Sequence, residues 1–382
     1  MSDKSISLHR KLKGKIYVES RIKSKSFDYL KLIYTPGVAS VCKRIIDKPK
    51  SIFQLTTKGK NVAIISDGTR ILGLGNIGPY AAIPVMEGKS VIYRNYGDIS
   101  AFPICLNVTD KEKIIETVCS LEPFFGAINL EDIESPKVLE ISDRLEKELP
   151  IPVFHDDRHG TSVVVLAGLL NSLKIVKKKI SKISVVVAGS GSAGYGIAQL
   201  LHFAGCRHII VLDSMGSIYK GRKNLNKYKK DLSKITGKDK VNLEEALINT
   251  DVFIGVSGKK NLLKSKMIKS MRKNPIIFAL TNPNPEINPK IAKKAGARIV
   301  ATGSYKFNNQ MNNALVFPYI MRAILDLKIT TISLDLLYST AVALAKSVPS
   351  KKLYEEFIIP EISDPRLQKK IVASIKKLLQ SS

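Results

Sequence analysis

The chain has 382 residues, 44% of them hydrophobic and 25% charged, which is ordinary for a soluble protein and long enough for two cores. No stretch approaches the roughly 18 uninterrupted apolar residues of a membrane span, and the polar, basic start MSDKSISLHRKLKGK lacks the apolar segment of a secretory signal. A formal net charge of +28 raises nucleic-acid binding as a reading, but the lysines are scattered with little aromatic interleaving, so no specific nucleic-acid partner is expected.

The first ~30 residues mix apolar and basic positions at helical spacing. A turn at Pro36–Gly37 precedes a helix expected from Ala39 to about Ile46. The apolar run NVAIIS (61–66) reads as a buried strand leaving into Asp67–Gly68, and SVIY (90–93) as another strand. Between Lys111 and Leu121, Ile114, Ile115 and Val118 recur at helical intervals. AIN (127–129) and PVFH (152–155) read as strands flanking a helix that begins near Pro136. A second unit opens with an apolar helix from Ser162 to Ile175. The strands SVVVAG (184–189), HIIVLD (208–213), DVFIGV (251–256), IIFAL (276–280) and RIVAT (298–302) then alternate with helices, the pattern of a doubly wound parallel sheet. After about residue 320 the sequence turns helical. The expected organisation is 1–160, 161–330 and a helical 331–382 packing back on the rest. Cys42, Cys105, Cys119 and Cys206 form no CxxC and read as buried free thiols of a reducing cytoplasm.

The turn Gly189-Ser190-Gly191-Ser192-Ala193-Gly194 matches GxGxxG. The match gains weight because it follows a strand, opens a helix and is trailed by Asp213 at the end of the next strand. Gly189 permits the tight turn, Gly191 lets a pyrophosphate approach the backbone, and Gly194 lets the helix sit close. Asp213 would accept hydrogen bonds from a ribose diol and repel a 2′-phosphate, which favours NAD. NADP stays open, because Ser214, Lys227, Lys229 and Lys230 are placed to offset that repulsion.

More specific motifs precede this turn. Asp67-Gly-Thr-Arg-Ile-Leu-Gly-Leu-Gly-Asn-Ile-Gly78 and Pro84-Val-Met-Glu-Gly-Lys89 closely resemble the malic enzyme signature. So do Tyr34-Thr-Pro-Gly-Val38, Asn129-Leu-Glu131-Asp132, Phe154-His-Asp-Asp157-Arg-His-Gly-Thr161, Asn282-Pro-Asn-Pro-Glu286 and Asn309-Gln-Met-Asn-Asn313, in collinear order. The resemblance is to the compact prokaryotic form. It implies an α/β fold, with an amino-acid-dehydrogenase-like catalytic domain followed by a Rossmann domain.

The resemblance implies oxidative decarboxylation of malate to pyruvate and CO2, with NAD (or NADP) and Mg2+ or Mn2+ as cofactors, in a cytoplasmic homodimer or larger homo-oligomer. Glu131, Asp132 and Asp157 form an oxygen-rich set suited to such a cation, with Asp156 an orienting neighbour. His155 and His159 are read as structural, because hard cations prefer oxygen. Lys89 is implied as general base, for which its pKa must fall at a cost on the order of 4 kcal/mol. Tyr34 is implied as the acid that protonates the enolpyruvate carbon. Arg70 is suited to clamping a substrate carboxylate, and Asn282 and Asn313 to bonding substrate or the nicotinamide ribose. Three positions depart from the family's pattern: Arg158 for a glutamine, Ser190 and Ser192 for alanines, and Gly303–Asn308 for an Arg- and Asp-bearing segment. The alternatives are a malolactic enzyme, which releases lactate and keeps its NADH, and a catalytically silent polyanion-binding relative.

Overall fold

The computed structural model describes residues 2–23, 26–71, 73–237 and 239–381. Two parallel sheets organise the chain. The first contains β1 (Asn61–Ser66), β2 (Ser100–Cys105), β3 (Ala127–Leu130) and β4 (Val153–His155) in the order β2-β1-β3-β4. The second contains β5 (Ser184–Ala188), β6 (His208–Asp213), β7 (Gly216–Ser217), β8 (Val252–Gly255), β9 (Ile276–Ala279) and β10 (Ile299–Thr302) in the order β10-β9-β8-β5-β6-β7. Only the two-residue β7 runs antiparallel. Every residue of β1, β3, β8, β9 and β10 is buried, so helices cover both faces and these strands read as continuous apolar runs rather than alternating ones. Ala188 at the end of β5 pairs with Leu212 on one side and Gly255 on the other. The connections diverge there, which opens a crevice beyond the carboxyl ends of the strands.

Residues 90–93 are not a strand. They lie inside a helix, Gly78–Gly97, whose buried positions Ala82, Met86, Lys89, Ser90, Tyr93 and Gly97 follow the three-to-four-residue spacing of one helical face. The β-forming residues Val91, Ile92 and Tyr93 are overridden by that face. The missing strand is β2, a half-buried edge strand carrying Pro103, whose lack of an N–H is tolerated at a sheet edge. Nor are the four free cysteines uniformly buried: Cys206 is, Cys105 and Cys119 are half-buried, and Cys42 is exposed.

The stretch Asp156–Val176 is long and apolar enough to cross a membrane, yet 72% of its most apolar window is buried inside the protein, as befits a core helix. It begins as a π-helical turn, Asp156–Gly160, directly after β4 and continues without a break into Thr161–Val176. The C-terminal helices Phe317–Leu327, Leu334–Ala345 and Leu367–Ser381 pack on one another, on Thr161–Val176 and on Gly78–Gly97. A contrast is set by the N-terminal helices Phe27–Ile33 and Val38–Asp47, neither of which buries a single residue.

Candidate active site

The carboxyl ends of β1, β3 and β4 deliver three segments to one place. Asp67–Arg70 leave β1, Glu131–Asp132 leave β3, and Asp156–Asp157 leave β4. Asp67 locks the first segment by accepting from the backbone and hydroxyl of Thr69 and from Lys137 Nζ at 2.8 Å. The Arg70 amide donates to the Asp132 carbonyl at 3.0 Å, joining the first segment to the second. Asp132 itself takes a left-handed backbone, φ +50°, which aspartate tolerates better than most residues.

A cavity of about 500 Å³ opens here, lined by Arg70, Lys89, Glu131, Asp132, Asp156, Asp157, Asn282 and Asn313 among others. Lys89, on the buried face of Gly78–Gly97, is only 7% exposed. Its Nζ lies 2.5 Å from Glu131 Oε2 and 3.1 Å from Asp156 Oδ2, and 4.1 Å from the centre of the Phe317 ring. Both carboxylates are braced from behind. Glu131 accepts from Asn129 Nδ2 at 2.9 Å, and Asn129 accepts from the Tyr93 hydroxyl at 2.7 Å. Asp156 accepts from Asn313 Nδ2 at 2.8 Å, and Asn313 accepts from Thr161 Oγ1 at 3.1 Å.

Burial pulls the Lys89 pKa down, but Asp156 and Glu131 together outweigh it and raise the pKa above the usual lysine value. The depressed lysine expected from sequence is thus not the resting state. Lys89 is held charged and presents a proton. The carboxyls show the reverse imbalance. Burial, then the charge of Asp157, pushes Asp132 up to about 7. Burial, then the charge of Asp156, pushes Asp157 up to about 6. Burial raises Glu131 well above the carboxylate range. Asp156 Oδ1 is buried with no hydrogen-bond partner. Four carboxyls against Lys89 and Arg70 leave an anionic excess of oxygen donors, the chemistry that suits Mg2+ or Mn2+. Among the described residues no three acidic, histidine or cysteine side chains already stand in closed coordination geometry.

His155 and His159 do not line the cavity, and burial, followed by the charge of Arg158, lowers both, His155 to about 3. They are neutral rings, with His159 Nδ1 accepting from the His155 amide. Arg158 turns away as well, to Asp143 at 3.1 Å and to the Tyr195 ring.

A second cavity of about 540 Å³ runs along Gly189, Ser190 and Gly191 to Asp213, Ser214 and Lys229, and Arg70 lines both cavities. Gly189 adopts φ +122°, and a Cβ there would lie 2.6 Å from the Val256 carbonyl oxygen. A Cβ on Gly194 would lie 1.8 Å from the Gly189 carbonyl oxygen, so only glycine lets the helix Ser192–Phe203 start this close to its own turn. Gly191 faces open space, its nearest neighbour to a Cβ being Ser135 at 3.8 Å. Ser192 Oγ is buried without a partner at the helix start, and Ala193 lines the first cavity. One further glycine, Gly196, is not part of the recognised fingerprint. A Cβ there would come within 2.1 Å of the Arg158 carbonyl oxygen, so the nucleotide helix rests directly on the turn that carries Asp156 and Asp157.

Three residues stand apart from their expected roles. Tyr34 is 73% exposed and does not line the cavity. Asn313 lines it, but both ends of its amide are committed to Asp156 and Thr161. Asp213 is not a free acceptor, since Arg222 and Lys229 already occupy it. The Tyr93–Asn129 brace is not legible in the sequence, because SVIY (90–93) has the local pattern of a strand. Nor is the direct Asp156–Lys89 contact, because adjacent aspartates look alike in sequence.

Residues 12–146 match the family model for the malic enzyme N-terminal domain, and residues 159–379 that for the malic enzyme NAD-binding domain. The chain is 45% identical to a bifunctional malic/malolactic enzyme of Bacillus subtilis, over 99% of this chain and 92% of that one. It is 44% identical to an NAD-dependent malic enzyme of Geobacillus stearothermophilus, over 97% and 77% respectively. The crystal structure of an NAD-dependent malic enzyme from Thermotoga maritima matches with a TM-score of 0.93 at 44% identity, covering 97% of this chain and 98% of that one. With both halves of the family pattern present in one collinear chain and a neighbour of nearly identical architecture, this protein belongs to the malic enzyme family.

Proposed function

We propose that this chain oxidatively decarboxylates malate to pyruvate and CO2 with reduction of NAD(P), and that the chemistry takes place where its two cavities meet at Arg70. The observation that carries this reading is Lys89, buried and pinned between two braced carboxylates within reach of that junction. Arg70 is placed to clamp a substrate carboxylate and Asn282 to bond substrate or nicotinamide ribose. Lys89 exchanges a proton with the C2 oxygen: it gives one up when the ketone is reduced and, by microscopic reversibility, takes one during oxidation. For the second task it must first be deprotonated, and Glu131 and Asp156 are the acceptors within hydrogen-bond distance. Asp132 and Asp157, with Glu131, would hold the divalent cation, and Asp156 Oδ1 has a lone pair to spare for it or for its water. Bound there, Mg2+ or Mn2+ supplies Lewis-acid polarisation of the C2 oxygen. Asn313 serves as a positioning residue for Asp156.

No tyrosine is among the described residues that line the cavity, so protonation of C3 by Tyr34 needs a second copy of this chain. What supports this is the surface around Tyr34. Phe27, Leu30, Leu32, Ile33 and Ile46 are all exposed on helices that bury no residue within their own chain, and Tyr80, Ile83 and Val85 are exposed on Gly78–Gly97, with Val85 also lining the cavity. A homodimer that seats Phe27–Ile33 and Val38–Asp47 of one copy over the exposed side of Gly78–Gly97 of the other hides both surfaces. The unpaired cysteines fit a reducing, cytoplasmic setting.

The test is a steady-state assay with malate, NAD or NADP, and Mn2+ or Mg2+, with products identified. Pyruvate with accumulating reduced cofactor is expected. Lactate without net reduced cofactor would instead give the malolactic reading, which the Bacillus subtilis relative makes worth measuring.

A further inference from the structure

The basic run Lys177–Lys178–Lys179 takes no part in either cavity described above. It follows the core helix Thr161–Val176, where Lys177 turns the chain with a left-handed backbone, φ +55°. The dipole of a helix favours cations at its C-terminus, and that alone accounts for a lysine or two. It does not account for the cations that arrive from elsewhere. Lys182 comes from the turn before β5, and Arg272 and Lys273 from the loop before β9. Together they line an open basin of about 580 Å³ at the amino ends of β5, β8 and β9, in which six cations face one carboxylate, Asp251. The catalytic cavity lies at the opposite end of the 21-residue helical stretch Asp156–Val176, about 30 Å away at ~1.5 Å per residue. The basin is therefore no extension of it.

Asp251 gives the basin a fixed frame. It directly precedes β8, is 2% exposed, and accepts from Lys178 Nζ at 2.7 Å, Arg272 Nη1 at 3.1 Å and the Ser184 amide at 2.9 Å. Lys178 Nζ also donates to the Lys273 carbonyl at 2.9 Å. Two cations from separate segments are thus held side by side before any ligand arrives, which spares a ligand the cost of ordering them. Lys177, Lys179, Lys182 and Lys273 stand exposed around this pair. A positive excess remains after Asp251 is counted, and a multiply charged anion relieves the repulsion within it.

The lining also selects the kind of anion. Among the described residues no aromatic side chain lines the basin, so a nucleobase finds nothing to stack on. Cations converging from several segments on a concave floor suit a short anion with its charges close together rather than a long nucleic-acid backbone. Phosphate oxygens accept from ammonium and guanidinium donors alike. We propose that this basin binds a small polyphosphate, a chain of linked phosphates such as inorganic tripolyphosphate, with Lys178 and Arg272 as its fixed contacts and the surrounding lysines closing on it.

Calorimetric titration of the full chain with tripolyphosphate tests this, with NADH present to occupy the β5–β6 crevice and divalent cations absent. Tripolyphosphate should bind at least about tenfold more tightly than orthophosphate, which offers fewer charges to the same donors. Metal-free ATP carries the same chain on a base that gains nothing here, so it should bind no more tightly than tripolyphosphate. One charge-assisted contact corresponds to roughly tenfold, so Lys179→Ala/Lys182→Ala should weaken tripolyphosphate about 10- to 100-fold. Lys346→Ala/Lys369→Ala removes as much charge from exposed positions outside the basin and should move it by less than about threefold. Asp251→Asn separates a built site from a merely basic surface. Removing a negative charge strengthens any diffuse attraction for anions, whereas loss of the frame that holds Lys178 and Arg272 should weaken tripolyphosphate about tenfold. Malate turnover, unchanged, reports that each variant is folded, and if Asp251→Asn does not fold the two lysine pairs decide alone. Equal losses in the two lysine pairs, tighter binding by Asp251→Asn, or equal affinity of wild-type protein for tripolyphosphate and orthophosphate would each overturn the proposal. So would ATP binding far more tightly than tripolyphosphate, because the base would then be what is recognised.

Discussion

The two cavities are opposite solutions to the same electrostatic problem. Around Lys89, four carboxyls face two cations, and the unbalanced acids are pushed up to about 7 and about 6. Around Asp213, one carboxylate faces two cations and is held low. Each uses an ammonium within 2.7 Å of a carboxylate oxygen, yet one cluster is short of positive charge and the other of negative. Buried charge without compensation is costly, so the sign of each deficit is what supports reading the first cluster as one for a cation and the second as one for an anion.

The comparison breaks first at Lys89. Lys89→Ala should lower malate oxidation by ~10²–10⁴ or more, the range for acid–base groups. Lys89→Arg keeps the charge but cannot release a proton, so it should be as slow while melting close to wild type. Tyr34→Phe should be slow too, and impaired in exchanging the methyl protons of pyruvate with D2O, followed by proton NMR. Mixing Lys89→Ala chains with Tyr34→Phe chains should recover activity, because a mixed dimer contains one intact site. No recovery in subunits shown to exchange would place the C3 proton donor elsewhere.

Next comes the cation. Asp157→Asn should weaken Mn2+ binding, read by electron paramagnetic resonance, by roughly 10- to 100-fold. The acid excess also gives a pH signature in the metal-free protein. A carboxyl whose pKa is higher folded than unfolded stabilises the fold below its unfolded pKa, and that stability fades as pH rises through the folded pKa. Asp132 and Asp157 are raised to about 7 and about 6, so metal-free protein should lose stability between pH about 4 and about 7, by a few kcal/mol at most. Saturating Mn2+ should flatten that slope in thermal melts, and an unchanged slope would contradict the cluster's role. The smallest expected effect is at Asn313. Asn313→Ala should reduce kcat about tenfold with the malate KM nearly unchanged, because the lost bond orients Asp156. A raised KM at constant kcat would return Asn313 to direct substrate contact.

Much of the sheet framework was legible because parallel strands buried on both faces write themselves as apolar runs, as NVAIIS and SVVVAG do. β2 was not, because an edge strand with a proline and half-buried residues has no such run. The helix Gly78–Gly97 hid its period behind Val91–Tyr93, where local preference and the buried face disagree. Motif matching gathered Arg70, Lys89, Glu131, Asp132, Asp157, Asn282 and Asn313, which the fold collects around one cavity. It could not say that Lys89 rests protonated, since that depends on two carboxylates from different strands. Nor could it tell that Tyr34 stands outside the cavity of its own chain, or that Arg222 folds back across a turn to bond Asp213, because chain order does not encode such closures.

Gly196 bears on how freely chains of this kind can exchange parts. The helix that opens the nucleotide half and the turn that bears Asp156 and Asp157 touch where a methyl group would not fit. A chimera that keeps this catalytic half and imports a nucleotide half from elsewhere therefore brings more than a cofactor preference. It must also bring a side-chain-free residue at this one helical position, or the aspartates are pushed out of register with Lys89. Recombination between such enzymes is then modular on paper only: a crossover near residue 160 cuts through a continuous helix and separates two surfaces that fit each other at a single glycine.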